Sequence, residues 1–385
     1  MVSRTTAYIM TALLLGLVVG YLASSAVRAP PVTATYTTTL TETSTTATTV
    51  TSTTTAVATT TVTATITVTK PYTPYPLTIN DAYNRSVTFE APPRSVVSLA
   101  PSITQMLVSL GLCDKIVGLD QFSYELLREL DKASCLRPNA VVININVMNP
   151  TGYNGDAILL LRPDLVLADA GFEALWAQKL PALQSYGIDV FFLRGTKASS
   201  IPQIERDALL VGEIFGVPEE ALAVVKWMNA TLSSLPPVKP KSVAQIAWIN
   251  PDGSFYAAGG NTFIGYEIAL AGGINALANY SGWGPFEPAV LLAANPQVIV
   301  LSSMGLGNNC TAVEQMLKGV PGISGVDAYR SGNVYVVTGL AEDSIEQPSV
   351  MTVYGVQILH LIIAGEAPRC ITTQWALKAL NMTLP

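Results

Sequence analysis

The stretch SVVSLAPS at residues 95–102 is a short apolar run that ends at a proline. Such a run is typical of a buried strand, and Pro101 cannot take part in a continuing strand ladder. Ser102 is suited to capping a helix, and apolar residues then recur at helical spacing up to Leu110, where Gly111 ends the pattern. The stretch therefore predicts a strand followed by a helix, which is the repeating unit of an α/β protein.

Further strand and helix patterns alternate around this stretch. Residues 77–79 and 87–89 are predicted to form a hairpin, and later strands are predicted at 116–119, 165–168 and 190–193. Helical patterns separate the later strands. This order predicts an α/β fold with a mostly parallel sheet flanked by helices.

Two junctions far apart in the chain resemble each other. LLLRPDLVL occupies residues 159–167, and LAANPQVIV occupies residues 292–300. Proline cannot continue a helix but readily precedes a new element, so each segment predicts a helix end followed by a buried strand. The repeat indicates two related lobes, each with its own mostly parallel sheet, at residues 77–200 and 236–385.

Residues 201–235 connect these two lobes. Apolar residues recur at helical spacing from Ile204 to Phe215, and a second helical stretch begins after Pro218. We predict a long connecting helix with a kink or short break near residues 216–218.

Residues 1–31 are predicted to form a signal or membrane anchor. Their apolar run extends from about residue 7 to residue 27. About 20 helical residues span a bilayer core of roughly 30 Å, whereas the apolar region of a cleaved signal peptide is only about 7–15 residues long. A retained transmembrane helix is favoured, with cleavage as the alternative. We expect no lipid anchor, because no cysteine precedes Cys113.

Residues 32–76 are dominated by threonine, with valine, alanine and late prolines interspersed. The segment has no amphipathic period. A hydroxyl-rich, low-complexity stalk between membrane and globular domain is favoured, and O-glycosylation would suit it. The alternative is β-aggregation, because threonine is a good strand residue.

Composition excludes several classes of function. Charged residues make up 12% of the chain and hydrophobic residues 49%, so a large core is possible. The 21 lysines and arginines are outnumbered by 27 aspartates and glutamates, which gives a net charge of −6 and argues against nucleic-acid binding. The one histidine, His360, lies in an apolar helical pattern, so a core role is favoured over catalysis. We expect no histidine-rich metal site and no cofactor.

Cysteines and glycosylation motifs favour an extracellular location. We expect the pairs Cys113–Cys135 and Cys310–Cys370, one of three possible connectivities, and four buried thiols are the alternative. Asn-x-Ser/Thr motifs, the acceptors of N-glycans, are present along the chain. They begin at Asn84, Asn229, Asn279, Asn309 and Asn381.

Several motifs occur in the order found in one known family. They are SVVSLAPS at 95–102 followed by Thr104, GLCDKIVGLD at 111–120, the junction at 161–168, YGI at 186–188, AGGIN at 271–275 and GNVYVV at 332–337. Together they resemble the helical-backbone substrate-binding proteins of ABC importers for vitamin B12, iron–siderophore complexes and haem. The resemblance covers essentially all of the chain after Leu77.

The resemblance implies two lobes joined by a rigid helix, a ligand held between them, and docking onto a membrane permease. In the family an acidic residue on each lobe, seven positions before the junction proline, makes the docking contact. Asp156 before Pro163 matches this pattern. Ala289 stands at the equivalent position before Pro296, so Glu287, two residues away, is expected to substitute.

Candidate ligand-binding residues follow from the rule that ligands of open α/β sheets bind beyond the carboxyl ends of the strands. Aromatic side chains are frequent in those predicted loops and suit a macrocycle or chelate. The candidates are Ser102, Phe122, Tyr124, Phe172, Arg194, Trp248, Tyr256, Trp283 and Phe286. Arg194 is a candidate partner for a ligand carboxylate or oxyanion, and equally a surface charge.

We therefore predict a monomeric, membrane-tethered extracellular receptor, not an enzyme, that delivers a cobalamin- or siderophore-class metal chelate to an ABC permease. A molybdate or tungstate receptor is an alternative within the same class. The alternatives from other classes are a ligand-free surface glycoprotein and an extracellular hydrolase. For a hydrolase, Glu342 and Asp343 offer two carboxylates, but adjacent residues on a strand-like segment would point to opposite faces.

Overall fold

A computed structural model describes residues 34–40, 62–68, 75–145, 155–172 and 180–385. The chain divides into two compact units, Met1–Leu77 and Thr78–Pro385. The predicted membrane anchor at residues 1–31 lies outside the described residues. Among the helices that are described, none combines the length and hydropathy needed to cross a bilayer.

The first unit contains one pair of strands within the predicted stalk. Strand β1 (Ala34–Leu40) pairs with β2 (Val62–Val68) in antiparallel register, with Ala34 opposite Val68. Threonine and valine are β-branched and favour this extended conformation. The described part of the threonine-rich segment is therefore paired strand rather than featureless tether.

The N-terminal lobe is built on a five-stranded, entirely parallel sheet. A small sheet of β3 (Leu77–Asn80) and β4 (Ser86–Phe89) precedes it, as predicted. The strands of the larger sheet are β5 (Val96–Ser98), β6 (Ile116–Asp120), β7 (Val141–Ile143), β8 (Leu165–Asp169) and β9 (Asp189–Leu193), in the order β7-β6-β5-β8-β9. Strand β7 was not expected from the sequence, because it is only three residues long and two of those are exposed.

Helices connect these strands. They are α1 (Pro101–Ser109), α2 (Gln121–Glu129), α3 (Gly155–Leu161) and α4 (Leu180–Ser185). The prediction that Ser102 caps α1 is wrong. Ala100 occupies the cap position and Pro101 begins the helix, because proline has the helical φ and lacks only an N–H that would be unpaired there.

The connection between the lobes is two helices rather than the single long helix predicted. Helix α5 (Ile201–Phe215) ends at Gly216, which has a φ of 72°, and α6 (Pro218–Ser233) begins at Pro218. The left-handed glycine and the following proline break the helix at the position that the sequence indicated. The two helices pack closely, since a Cβ on Gly212 would overlap that of Ala221.

The C-terminal lobe contains a mixed seven-stranded sheet. Its strands are β10 (Ser242–Ile249), β11 (Phe255–Ala258), β12 (Ile274–Asn275), β13 (Trp283–Phe286), β14 (Val298–Ser302), β15 (Val334–Val337) and β16 (Cys370–Ile371). Strands β10, β14, β15 and β16 are parallel neighbours, whereas β11 and β13 extend the sheet in antiparallel fashion.

Helices cover both faces of this sheet. They are α7 (Phe263–Leu270), α8 (Pro288–Ala294), α9 (Cys310–Lys318), α10 (Asp327–Arg330), α11 (Leu340–Glu346), α12 (Thr352–Ala364) and α13 (Thr373–Leu380). His360 is buried on α12, with Nδ1 3.2 Å from the Ala271 carbonyl oxygen, as expected for a core histidine.

The helix–proline–strand junction that occurs twice in the sequence also has the same structure in both places. Helix α3 leads into β8 and α8 leads into β14, each through a proline. The residue before each proline, Arg162 or Asn295, has a left-handed φ, of 44° and 40° respectively. Each helix therefore stops in the same way, and its amino end lies at the carboxyl edge of its sheet.

Both predicted disulfides are present. Cys113–Cys135 closes a separation of 22 residues and Cys310–Cys370 a separation of 60, with Cα–Cα distances of 5.7 and 5.8 Å. In the chain-entropy model, loops of these lengths stabilise the fold by about 3 and about 4 kcal/mol. The second disulfide joins the start of α9 to the edge strand β16.

Candidate ligand-binding site

The two faces of the C-terminal sheet have different characters. One face carries Ala244, Ile246 and Ile249 of β10 into a core that includes Ile299 and Leu301 of β14. The other face of the same strands carries Gln245, Trp248 and, on β14, Ser302. Strand alternation produces this division, and a bulge between Ile246 and Trp248 re-aims the end of β10.

Three aromatic residues form what we call the aromatic strip, namely Trp248, Tyr256 and Trp283. Trp248 lies opposite Tyr256, and the Tyr256 and Trp283 rings stack with centroids 6.4 Å apart. Trp248 and Tyr256 are 45% and 42% exposed, so the strip is open to solvent at the carboxyl end of β10. Stacked, exposed aromatic rings offer a flat apolar surface to a ligand.

Phe286 lies elsewhere. It is on the opposite face of β13, where its ring is 5.7 Å from that of the buried Phe255 and 5.3 Å from that of Tyr280. It is partly buried and packs against the core, away from the aromatic strip. The physical reason is alternation, because Phe286 pairs with Phe255 and the two share a face. Its role as a ligand contact stays a prediction.

The N-terminal lobe places four predicted residues at the carboxyl edge of its sheet. Phe122, in the first turn of α2, is 46% exposed, and Tyr124 is half-buried. Ser102, in the first turn of α1, is buried, and its Oγ has no hydrogen-bond partner among the described residues. Phe172 follows β8 at the same edge, although its side chain is not described.

Arg194 lies beside a buried carboxylate. Its charge lowers the pKa of Asp207, but burial is the larger effect and raises that pKa to about 7. Asp207 accepts a hydrogen bond from the Gly195 amide, and Asp169 accepts hydrogen bonds from the amides of Gly171 and Thr196. Arg194 therefore has a structural partner, and the two aspartates hold the loop after β9.

Six carboxylates lie close enough to influence one another electrostatically at the place where the two lobes face each other. We call them the acidic cluster. The N-terminal lobe contributes Asp120, Glu125 and Glu129, and α11 contributes Glu342, Asp343 and Glu346. Burial, followed by the charges of Glu342, Glu129, Asp120 and Glu125, raises the pKa of Asp343 to about 8. Burial and Glu342 raise the pKa of Glu346 to about 8. The three carboxylates on α11 each keep part of their surface accessible to solvent.

This cluster was not predicted from the sequence. Glu342 and Asp343 were expected on a strand-like segment, but residues 340–346 form helix α11. A helix places positions 342, 343 and 346 on one side, because residues three and four apart are neighbours. The sequence feature that could have indicated a polar site here was Gln245, a polar residue within the apolar strand β10.

Hydrogen bonds between the lobes surround the acidic cluster. Thr373 Oγ1 donates to Glu129 Oε2 at 2.8 Å, and Ser349 Oγ donates to Gln105 Oε1. Asp120 ends β6 and caps α2, accepting a hydrogen bond from the Ser123 amide at 2.9 Å. The carboxyl edges of the two sheets thus meet at the cluster.

The predicted surface residues are accessible. Asp156 and Glu287, the predicted docking acids, are exposed at the starts of α3 and α8. The five motif asparagines are also exposed, although Asn229 Nδ2 donates to Glu205 Oε1 at 2.9 Å and Asn309 caps α9. Among the described residues, no group of three or more histidines, cysteines or carboxylates is arranged to hold a bare metal ion.

Curated relatives share most of the globular part. An uncharacterized ABC transporter substrate-binding lipoprotein, YvrC of Bacillus subtilis, is 29% identical over 272 residues, which cover 68% of this chain and 78% of the relative. A cobalamin-binding protein of Halobacterium salinarum is 28% identical over 281 residues, which cover 71% of this chain and 70% of the relative.

Solved structures show the same fold. A protein of an ABC-type Fe3+-hydroxamate transport system from Saccharomonospora viridis has a TM-score of 0.61 at 21% identity, covering 75% of this chain and 99% of that one. The periplasmic haem-binding protein RhuT from Roseiflexus sp. RS-1 has a TM-score of 0.56 at 21% identity, covering 71% and 98%. The profile of the family described as periplasmic binding protein matches residues 96–339, well over half of the chain. This chain therefore belongs to the periplasmic binding protein family.

Proposed function

We propose that the protein is the extracellular substrate-binding protein of an ABC importer and carries a metal chelate of the cobalamin, ferric-siderophore or haem class. The aromatic strip is the observation that carries this proposal, because exposed stacked rings at a sheet edge suit a large flat ligand. The relatives agree with this class, since one is named a cobalamin-binding protein and another an ABC transporter substrate-binding lipoprotein.

The two disulfides support the location. Structural disulfides persist in oxidising compartments outside the cytoplasm, where such a carrier would meet its ligand. The membrane anchor, the N-glycans and the monomeric state remain proposals with it.

The ligand class is tested by titration of the full chain. Cobalamin, ferric hydroxamate siderophores, haem, molybdate and tungstate are added separately, and binding is measured by calorimetry. We expect saturable binding of one metal chelate. Binding of an oxyanion alone would contradict the chelate proposal while leaving a carrier, and binding of none of these ligands would contradict the proposed function.

The role of the strip is tested with Tyr256→Ala. Loss of one stacked ring should weaken chelate binding by about fivefold, since stacking on an aromatic side chain contributes about 1 kcal/mol. Tyr186→Ala is the matched control, because Tyr186 is 73% exposed but precedes β9 at the opposite edge of its sheet. Equal affinities in the two variants would remove the strip from the binding site.

A further inference from the structure

Neighbouring side chains and amides already donate hydrogen bonds to the acidic cluster. Gln245 Nε2 donates to Glu346 Oε1 at 2.7 Å, and Ser302 Oγ donates to the same oxygen. Thr373 donates to Glu129, and Ser123 donates to Asp120. The ionised members of the cluster therefore offer acceptor oxygens and negative charge to a further group.

The side-chain oxygen of Gln245 adds a hydrogen-bond acceptor that has no donor. Its side chain is completely buried and aimed at Glu346 and Ser302, at 2.7 and 3.2 Å from Nε2, yet its Oε1 has no partner among the described residues. A buried acceptor without a donor costs about 1–3 kcal/mol. An arriving donor, or a water that a ligand orders, would recover that free energy.

No cation of the described residues is among the main influences on the pKa of Asp343 or Glu346. The ion pairs Arg85–Asp81, Lys115–Asp114 and Arg330–Asp327 lie outside the cluster. Arg128 is exposed on α2, the helix that carries Glu125 and Glu129. Four neighbouring carboxylates act on Asp343. The electrostatic potential between the lobes is therefore negative.

Resting on the proposed function, we infer that the ligand held between the lobes is a metal chelate with net positive charge, selected over anionic chelates by the acidic cluster and the unmet acceptor of Gln245. A cation near the cluster gains Coulomb energy and supplies donors. An anionic chelate meets repulsion and a lack of donors. The aromatic strip would hold the apolar body of either ligand, so the cluster decides between them.

Binding of a cation should also release protons from the acidic cluster. The raised pKa values of Asp343 and Glu346, both about 8, keep these groups mostly protonated and uncharged at pH 7. A bound cation favours their charged forms, so the complex releases protons. Calorimetry in two buffers of different ionisation enthalpy detects that release.

Two pairs of probes differ by one charge at nearly constant shape. Ferrioxamine B carries a free ammonium group that N-acetylation removes, and aquocobalamin carries one positive charge more than cyanocobalamin. The full chain is titrated with each at pH 7 and at low and high salt. We expect the cationic member of the bound pair to bind about tenfold more tightly at low salt, and the difference to shrink as salt screens it.

Glu125→Gln removes a negative charge from the N-terminal lobe, and Asp343→Asn removes the carboxyl that a bound cation would ionise on α11. Each variant should reduce the preference, and the double variant should reduce it further. Glu366→Gln is the matched control, because Glu366 is exposed and precedes β16 at the opposite edge of the sheet. Equal affinity within a pair, or tighter binding of haem than of both cationic probes, would overturn the inference but leave the carrier function. Binding of no chelate at all would overturn both.

Discussion

At position 245 a glutamine lies in a strand whose neighbouring side chains are small or aliphatic. Its position in the chain marks it as unusual, but only the fold brings Glu346, 101 residues later, within hydrogen-bond distance. The sequence favoured the two disulfides that are present, but it left three pairings and free thiols open, and the structure shows which pairing is formed. The face on which Phe286 lies was not within reach of the sequence, because it depends on the register of β13 against β11.

Stability should fall as pH rises through the range in which the buried carboxylates titrate. The pKa of Asp343 is about 8 in the folded protein, against an ordinary value of 3.8, so the folded state binds more protons than the unfolded state between about pH 4 and pH 8. The free energy of unfolding therefore declines across that window. Asp169 and Asp207, with pKa values of about 6 and about 7, act in the same direction.

Denaturant titrations at pH 5 and pH 8 measure this decline. Asp343→Asn cannot ionise, so its stability should change less between the two pH values than that of the unaltered protein. A stability that rises with pH, or an identical change in the variant, would show that the Asp343 carboxyl is not held protonated by burial and its neighbours.

At the scale of elements, most strands and helices follow from local pattern. The strands β5, β6, β8 and β9 are continuous apolar runs, as expected when a parallel sheet is covered on both faces. It was harder to predict two separate helices in the connecting segment, because apolar periodicity continues on both sides of residues 216–218. Helical spacing alone does not report the angle between two helices, which the close approach of Gly212 to Ala221 sets.

Gly212→Ala should destabilise the pair of helices α5 and α6. The added Cβ would overlap Ala221, and overpacking of this kind costs about 1–3 kcal/mol. Gly325→Ala is the control, because a Cβ there meets no heavy atom within 4 Å. Thermal or denaturant unfolding should separate the two variants. If both are as stable as the unaltered protein, the helices are less closely packed than described.

At the scale of the whole globular unit, two sheets meet with their carboxyl edges together. The same junction brings the starts of α3 and α8, which carry the predicted docking acids, to that side, so the proposed ligand and permease surfaces would be neighbours in each lobe. The internal repeat in the sequence indicated two lobes. The charge between them was not foreseen, since the net charge of −6 does not reveal where carboxylates gather.

Charge reversal at the docking acids should separate delivery from binding. Asp156→Lys and Glu287→Lys are expected to weaken stimulation of the permease ATPase by more than tenfold together, because an interface ion pair becomes a repulsion. Ligand affinity should remain unchanged, since both residues are exposed helix starts. Glu366→Lys serves as the control. Loss of ligand binding in the docking variants, or undiminished stimulation, would refute their role.

The sequence by itself determined the α/β class, the two lobes and the break between the connecting helices, because these depend on local periodicity and on proline and glycine geometry. Only the tertiary structure decided between the possible cysteine pairings, which aromatic rings are exposed, that Arg194 lies beside Asp207, and that six carboxylates of both lobes are close together. Those properties depend on strand register and on contacts between elements that are separate in the chain, for which no local pattern carries a signal.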